Sequence, residues 1–173
     1  MSLLSVTVKR AKYHGPQANQ LSTYVTLKLQ HVKSTTVTVK GAEPCWEQDF
    51  LFETEQMDTG LLVEVWSKGL LWDKALGYRW LPLTDIQYSN EEGQGQWLAL
   101  HLEPVVNASG EVVGTRNPTG DDVLLDCRFE VPFAGVSEDS DYTSDIGYPI
   151  GQNPNSSASQ YLGAASIWPA RTS

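Results

Sequence analysis

Cysteine is scarce in this sequence. Its 173 residues hold two, Cys45 and Cys127, far apart and without the paired spacing of a metal site. That excludes a disulfide framework and points to a reducing, cytoplasmic compartment. Histidine is almost as rare: His14, His31 and His101 stand alone, on a loop or at strand ends, with no neighbour to make one a base or a ligand. No G-x-S-x-G elbow occurs, and no glycine-rich phosphate loop opens a helix. These absences describe a binding module rather than an enzyme, with no metal and no cofactor expected. A run of about 18 apolar residues, enough to span a bilayer as a helix, is missing. The amino-terminal MSLLSVTVKRAKY has too short and too alternating an apolar stretch for a signal peptide.

Acid is missing from the first 42 residues altogether, where Lys9, Arg10, Lys12, Lys28, Lys33 and Lys40 give +6. Residues 43–135 reverse this with seventeen acids against five bases, and the whole chain carries −9. Two readings follow. Neighbouring strands pair these charges across one sheet, or a basic face seeks an anionic partner. The acidic total argues against nucleic acid as a partner.

Helical periodicity is the third absence. The sequence alternates instead: LSVTVK (4–9) sets Leu4, Val6 and Val8 on one face, and YVTLKLQ (24–30) turns Val25, Leu27 and Leu29 inward. VKSTTVTVK (32–40) is rich in β-branched residues, and DFLF (49–52) aligns Phe50 with Phe52. LLVEVW (61–66), GYRWLPL (77–83), QWLALH (96–101) and VLLDCRFEV (123–131) complete about eight strands, with Cys127 facing the core. Turn signals such as HGPQANQ, KGAEP, EEGQGQ and NPTGDD separate them. Only MDTG (57–60) and LTDIQYSNEEG (83–93) leave room for a helical turn. The expected fold is all-β, an eight-stranded antiparallel sandwich over residues 1–133. Beyond it, residues 134–173 are rich in Gly, Ser, Asn, Asp and Pro without any period, which predicts a disordered acidic tail. Trp168 and the tail tyrosines are candidate docking points within it.

Two surfaces carry functional signals. The strand pair 24–40 presents Lys28, Lys33 and Lys40 with Thr26, Thr35 and Thr36, a mildly basic, hydroxyl-rich face whose plain alternative is a solvated sheet surface. A phosphoinositide site normally shows denser lysines, so membrane is a secondary partner here. The second surface is WSKGLLWDKALG (66–77), which places Leu70, Leu71 and Trp72 in a loop tip. The leading expectation is that the loop folds back and the three cap one end of the sandwich. Contact with a protein ranks second, and shallow insertion into lipid third.

EPCWEQDFLF (43–52) resembles the N-P-x-W-x-E-x-F-x-F signature of C2 domains. LSTYVTLKL (21–29) resembles their S-D-P-Y-V-x-V-x-L segment, and VEVWSKGLLWDKALGYRWLPL (63–83) resembles the strand–loop–strand around the third apical loop. A closer resemblance runs through MSLLSVTVKRAKY, TYVTLKLQHVKSTTVTVKG, PCWEQDFLFE, LLVEVWSKGLLWD and SNEEGQGQWLAL. These pieces look like the amino-terminal C2 domain of the Munc-thirteen (uncoordinated-thirteen) synaptic-vesicle priming family. The later DSDYTSD and NSSASQY resemble that family's post-domain linker.

The resemblance implies a cytoplasmic module at the presynaptic active zone, peripheral to the plasma membrane, that regulates vesicle priming and neurotransmitter release. It implies a homodimer formed through the 24–40 side, or alternatively a pairing with the zinc finger of RIM, an active-zone scaffold. Carried over by position, Lys33 leads that face, with Lys28, Thr35 and Lys40 beside it. The chain departs from some relatives in passing from EVPF straight to the acidic tail, where they carry a helical segment that extends the RIM contact. Calcium-binding C2 domains need a cup of carboxylates, because this cation takes six to eight oxygens. The family's aspartate positions fall here on Ser22, Ser67 and Gly69, with Asp73 matching the last, which implies calcium independence. A module with a bare tail is expected to be one piece of a longer protein.

Overall fold

The computed structural model describes residues 1–132, together with the backbone of two short strands in the tail. Nine strands make the principal sheet: β1 (Ser2–Lys12), β2 (Ser22–Leu29), β3 (Val32–Thr35), β4 (Val39–Lys40), β5 (Cys45–Thr54), β6 (Gly60–Ser67), β7 (Lys74–Pro82), β8 (Gln96–Val106) and β9 (Val112–Phe129). The only helical pieces among the described residues are two 3-10 turns, Ala18–Gln20 and Leu83–Asp85. All eight expected strands are present. The ninth arises because the β-branched run 32–40 is broken at Thr36, which hydrogen-bonds Val25 through both its amide and its hydroxyl and pulls the chain onto β2. Of the two proposed helical sites, Leu83–Asp85 forms a turn and MDTG does not.

Strands pair in the order β3-β2-β6-β7-β8-β9-β1-β5, with β4 also on β2, and every pairing is antiparallel. The link between β7 and β8 is a single residue pair, Tyr78 with His101, so the path folds there into the two layers of a sandwich. Side chains of period two fill the space between them: Leu4, Val6 and Val8 of β1, Val25, Leu27 and Leu29 of β2, Val63 and Val65 of β6, Leu98 and Leu100 of β8, and Val123 and Leu125 of β9. Cys127 packs against this core, and burial pushes its thiol up to about 12, which makes it an inert hydrophobe.

One turn signal is reassigned. NPTGDD lies inside β9, where Asn117 (φ 70°) and Gly120 (φ 96°) accommodate a bulge opposite Ala99–His101. The hairpin closes instead at Asn107–Glu111, whose Asn107 Oδ1 accepts the amides of Ser109 and Glu111 at 2.9 and 3.0 Å. Charges pair across strands in part: Lys9 reaches Glu92 at 2.7 Å and Glu47 at 3.4 Å, and Lys28 reaches Glu64 at 3.3 Å. The predicted disordered tail and its Trp168 fall outside the described residues, apart from β10 (Leu162–Gly163) and β11 (Ala165–Ile167), a separate two-stranded pair.

Candidate protein-interaction face

Register decides which residues share the outer face of β3-β2-β6. Tyr24 lies opposite Trp66, Thr26 lies between Glu64 and Thr35, and Lys28 lies between Leu62 and Lys33. Two lysines therefore meet across β2 and β3. Only one is neutralised: the buried Glu64 carboxylate takes Lys28 on one oxygen and the Trp66 indole N–H, at 3.1 Å, on the other. Lys33 is exposed and has no carboxylate within ion-pair distance among the described residues.

Lys33 and Thr35 open onto a shallow groove of about 490 Å³. Its floor continues through Thr26, Tyr24 and Trp66, and its far wall is Lys68 with Asp73 from the β6–β7 hairpin. Thr36 and Thr38 of the β3–β4 connection close the side. The groove therefore offers an incoming surface the exposed Thr35 and Thr38, two aromatic rings and one unpaired cation, Lys33, while Thr26 and Thr36, expected on the outer face, are buried and Lys68 is held by Asp73. Of the four residues singled out on this side, Lys33 and Thr35 share the groove, and Lys28 stands next to it in its ion pair. Lys40 does not join them: it pairs with Ser22 at the opposite end of β2. Tyr24, Trp66, Lys68 and Asp73 were not anticipated as part of this face.

The hairpin at its edge is stiffened at the base. Asp73 accepts the Tyr24 hydroxyl at 2.5 Å and the Gly69 amide at 3.2 Å, and Lys68 lies 3.9 Å away, with its ammonium 5.9 Å from the Tyr24 ring centre. The hydroxyl bond, then the amide bond, holds the Asp73 carboxyl below its ordinary range, and the same pairing pushes Tyr24 up to about 12. Glycine is required at 69, because a Cβ there would run into the carbonyl of Trp72. Above this clamp the expected cap is absent. Leu70, Leu71 and Trp72 are 104, 83 and 82% exposed and touch no core, so the capping expectation is overturned. Satisfying Asp73 and Lys68 at the base points the tip outward, and hydrophobicity alone does not bring it back.

At this end of the sandwich Ser22, Ser67 and Lys68 are neighbours, with Thr23 opposite Ser67 and the Lys68 amide on the Ser22 carbonyl at 2.8 Å. Asp73, 3.9 Å from the Lys68 ammonium, is already committed to three partners. Among the described residues no three His, Cys, Asp or Glu side chains gather in a metal-holding group.

The fold and this geometry have recognisable counterparts. The C2 domain family model matches residues 2–100. A single C2 domain of plant Extended Synaptotagmin 1 superposes with a TM-score of 0.54 at 15% identity, over 75% of this chain and 94% of that one. A structure holding two C2 domains of Extended-Synaptotagmin 2 gives 0.55 at 14% identity, over 74% of this chain and 40% of that one. A C2 domain-containing protein from a putative elicitor-responsive gene gives 0.52 at 20% identity, over 79% and 96%. At such identities the likeness speaks for the fold. C2 domains are non-catalytic modules of membrane or protein interaction. With the family model spanning more than half of its residues and the sandwich strands in place, this chain belongs to the C2 domain family.

Proposed function

We propose that this C2 domain is a calcium-independent protein-association module that docks through the β2–β3 face centred on Lys33. Its partner is a second copy of the chain or, alternatively, a zinc finger of the RIM type. Placement in the Munc-thirteen priming family, and with it a role in transmitter release at the presynaptic active zone, rests on the sequence resemblance. The observation that carries the docking face is the unequal fate of two facing lysines: Glu64 neutralises Lys28, while Lys33, at the lip of a groove, has no ion-pair partner among the described residues. A two-fold contact on this face repeats every pairing, so if each Lys33 meets a carboxylate of the acid-rich remainder of the other copy, reversing its charge turns two attractions into repulsions at once.

Sedimentation equilibrium tests the reading. The wild-type chain is expected to dimerise at micromolar concentration, and Lys33→Glu to remain a monomer with an unchanged circular dichroism spectrum. A wild type that stays monomeric, or a mutant that pairs equally well, removes the case. Zinc-finger binding is expected to weaken in the same mutant. Calcium independence has its own check. Asp73 alone, already held by Tyr24 and Gly69, makes a poor cup for a cation needing six oxygens, so calcium below millimolar concentration is expected to leave the melting temperature unmoved.

Attachment to anionic membrane is the second reading, favoured by the exposed Leu70, Leu71 and Trp72. The electrostatic support is thin, because Lys68 is partnered by Asp73 and the chain as a whole carries −9. Pelleting with phosphatidylserine vesicles distinguishes the two readings.

A further inference from the structure

Each layer of the sandwich ends in a strand with one free edge: β3 pairs only with β2, and β5 only with β1. The two edges lie on the same side. Gln30, at the turn before β3, touches Thr54 and Gln56, and Val37, just past β3, gives its amide to Gln48 and its carbonyl to the Trp46 indole. Lys33–Thr35 therefore stands level with Leu51–Glu53, one layer away, about 10 Å at ordinary sheet spacing.

Both stretches turn their backbone outward. The Val25 carbonyl accepts the Thr36 amide, so Val25, Leu27 and Leu29 serve β3 and face Ser34 and Val32. Lys33 and Thr35 alternate with these and direct their amides and carbonyls to solvent. On β1 the Leu3 carbonyl accepts Glu130 from the other side, so Leu4 and Val6 serve β5 through Phe52 and Phe50. Leu51 and Glu53 are then the residues with free amides and carbonyls. All four side chains stand on the outer faces of their layers and are exposed.

We propose that β3 of one copy adds to β5 of a second, and β5 to β3, about a two-fold axis parallel to the strands. This rests on the Lys33 contact proposed above and names the surface that Lys33 meets. Such an axis preserves height and direction. An odd number of antiparallel pairings separates β3 from β5, so the two meet as an antiparallel ladder. Charge selects the occupant. Lys33 comes opposite Glu53, and among the described residues neither has an ion-pair partner. Thr35 comes opposite Leu51. Glu47 and Asp49, farther along β5, are already held by Lys9 and Thr7. Pairing β3 with β3 of the other copy would instead bring lysine toward lysine, the device by which edge strands avoid their own kind.

The full chain tests this by sedimentation equilibrium. Glu53→Lys is expected to weaken dimerisation at least about tenfold, as Lys33→Glu does, because either change sets like charges opposite each other twice. Both variants should melt close to the wild type. The double variant, Lys33→Glu with Glu53→Lys, restores opposite charges and should dimerise again. Hydrogen exchange supplies a readout that needs no change at Glu53. The amides of Lys33, Thr35, Leu51 and Glu53 should exchange more slowly in the wild-type dimer than in the Lys33→Glu monomer. A Glu53→Lys chain that dimerises like the wild type, a double variant that stays monomeric, or equal exchange at those four amides overturns the edge pairing. With Lys33→Glu monomeric, those outcomes leave the Lys33 contact itself standing. A wild type that never dimerises removes both.

Discussion

Replacing Phe129 with alanine is expected to cost about 3–5 kcal/mol, as truncating a fully buried aromatic does. Phe129 is 0% exposed at the end of β9, where three segments converge on it. It pairs with Leu4 of β1, stacks on Tyr88 with ring centres 5.4 Å apart, and exchanges backbone bonds of 2.9 Å with Gln87 and Ser89. Cutting the ring leaves a cavity that this fixed backbone cannot collapse into. Denaturant melts should show a lower midpoint with an unchanged slope, the sign of lost stability rather than an altered unfolded state. Trp72→Ala makes the contrasting case. Its side chain is larger, yet it lies 82% exposed, so its loss should stay under about 0.5 kcal/mol. Equal losses at the two positions would contradict the observed burial.

That contrast marks where sequence pattern stops being informative. Alternation located β1, β2, β6 and β8 because each buries one face against the opposite layer, and period two records nothing else. Composition offered Lys33 and Thr35 together with Lys28, Lys40, Thr26 and Thr36 as one face, of which Thr26 and Thr36 prove buried, and the family resemblance singled out Lys33. Alternation could not find Tyr24, Trp66, Lys68 and Asp73 as the rest of the groove, since they arrive from separate stretches joined by the β2–β6 register and by one hydroxyl bond to Asp73. Writing out the facing positions of those two strands would have brought Tyr24 and Trp66 together. The bulge in β9 was hidden for another reason. Asn117 and Gly120 supply positive φ to a turn or to a bulge with the same chemistry, and only the continuation of β8 opposite them separates the two. The tip misled by composition, because large apolars are mostly interior. What holds them out is a polar clamp at the base of the same hairpin.

Gly77→Val is expected to destabilise the domain by about 3 kcal/mol, with Gly77→Ala falling between it and the wild type. Two effects of opposite sign compete. Strand propensity favours the substitution, since glycine inside a strand costs roughly 0.5–1 kcal/mol in conformational entropy. Space opposes it. A Cβ on Gly77 would lie 2.8 Å from the Cβ of Leu100 and 3.3 Å from the carbonyl oxygen of His101, and neither atom can swing away, one being fixed to buried backbone and the other part of it. This is the point at which β7 approaches β8 and makes their single ladder pair, so relief requires the two layers to part there. Overpacking should win. Gly114 provides the internal control: a Cβ on it meets only Val105, at 3.9 Å, so Gly114→Ala keeps the propensity gain without the clash and should be neutral or slightly stabilising. Chemical melts measure both, and hydrogen exchange locates the damage, with faster exchange expected at the amides of Tyr78 and His101 in the Gly77 variants. If Gly77→Ala proves as harmless as Gly114→Ala, the layers are not held at contact distance at this junction.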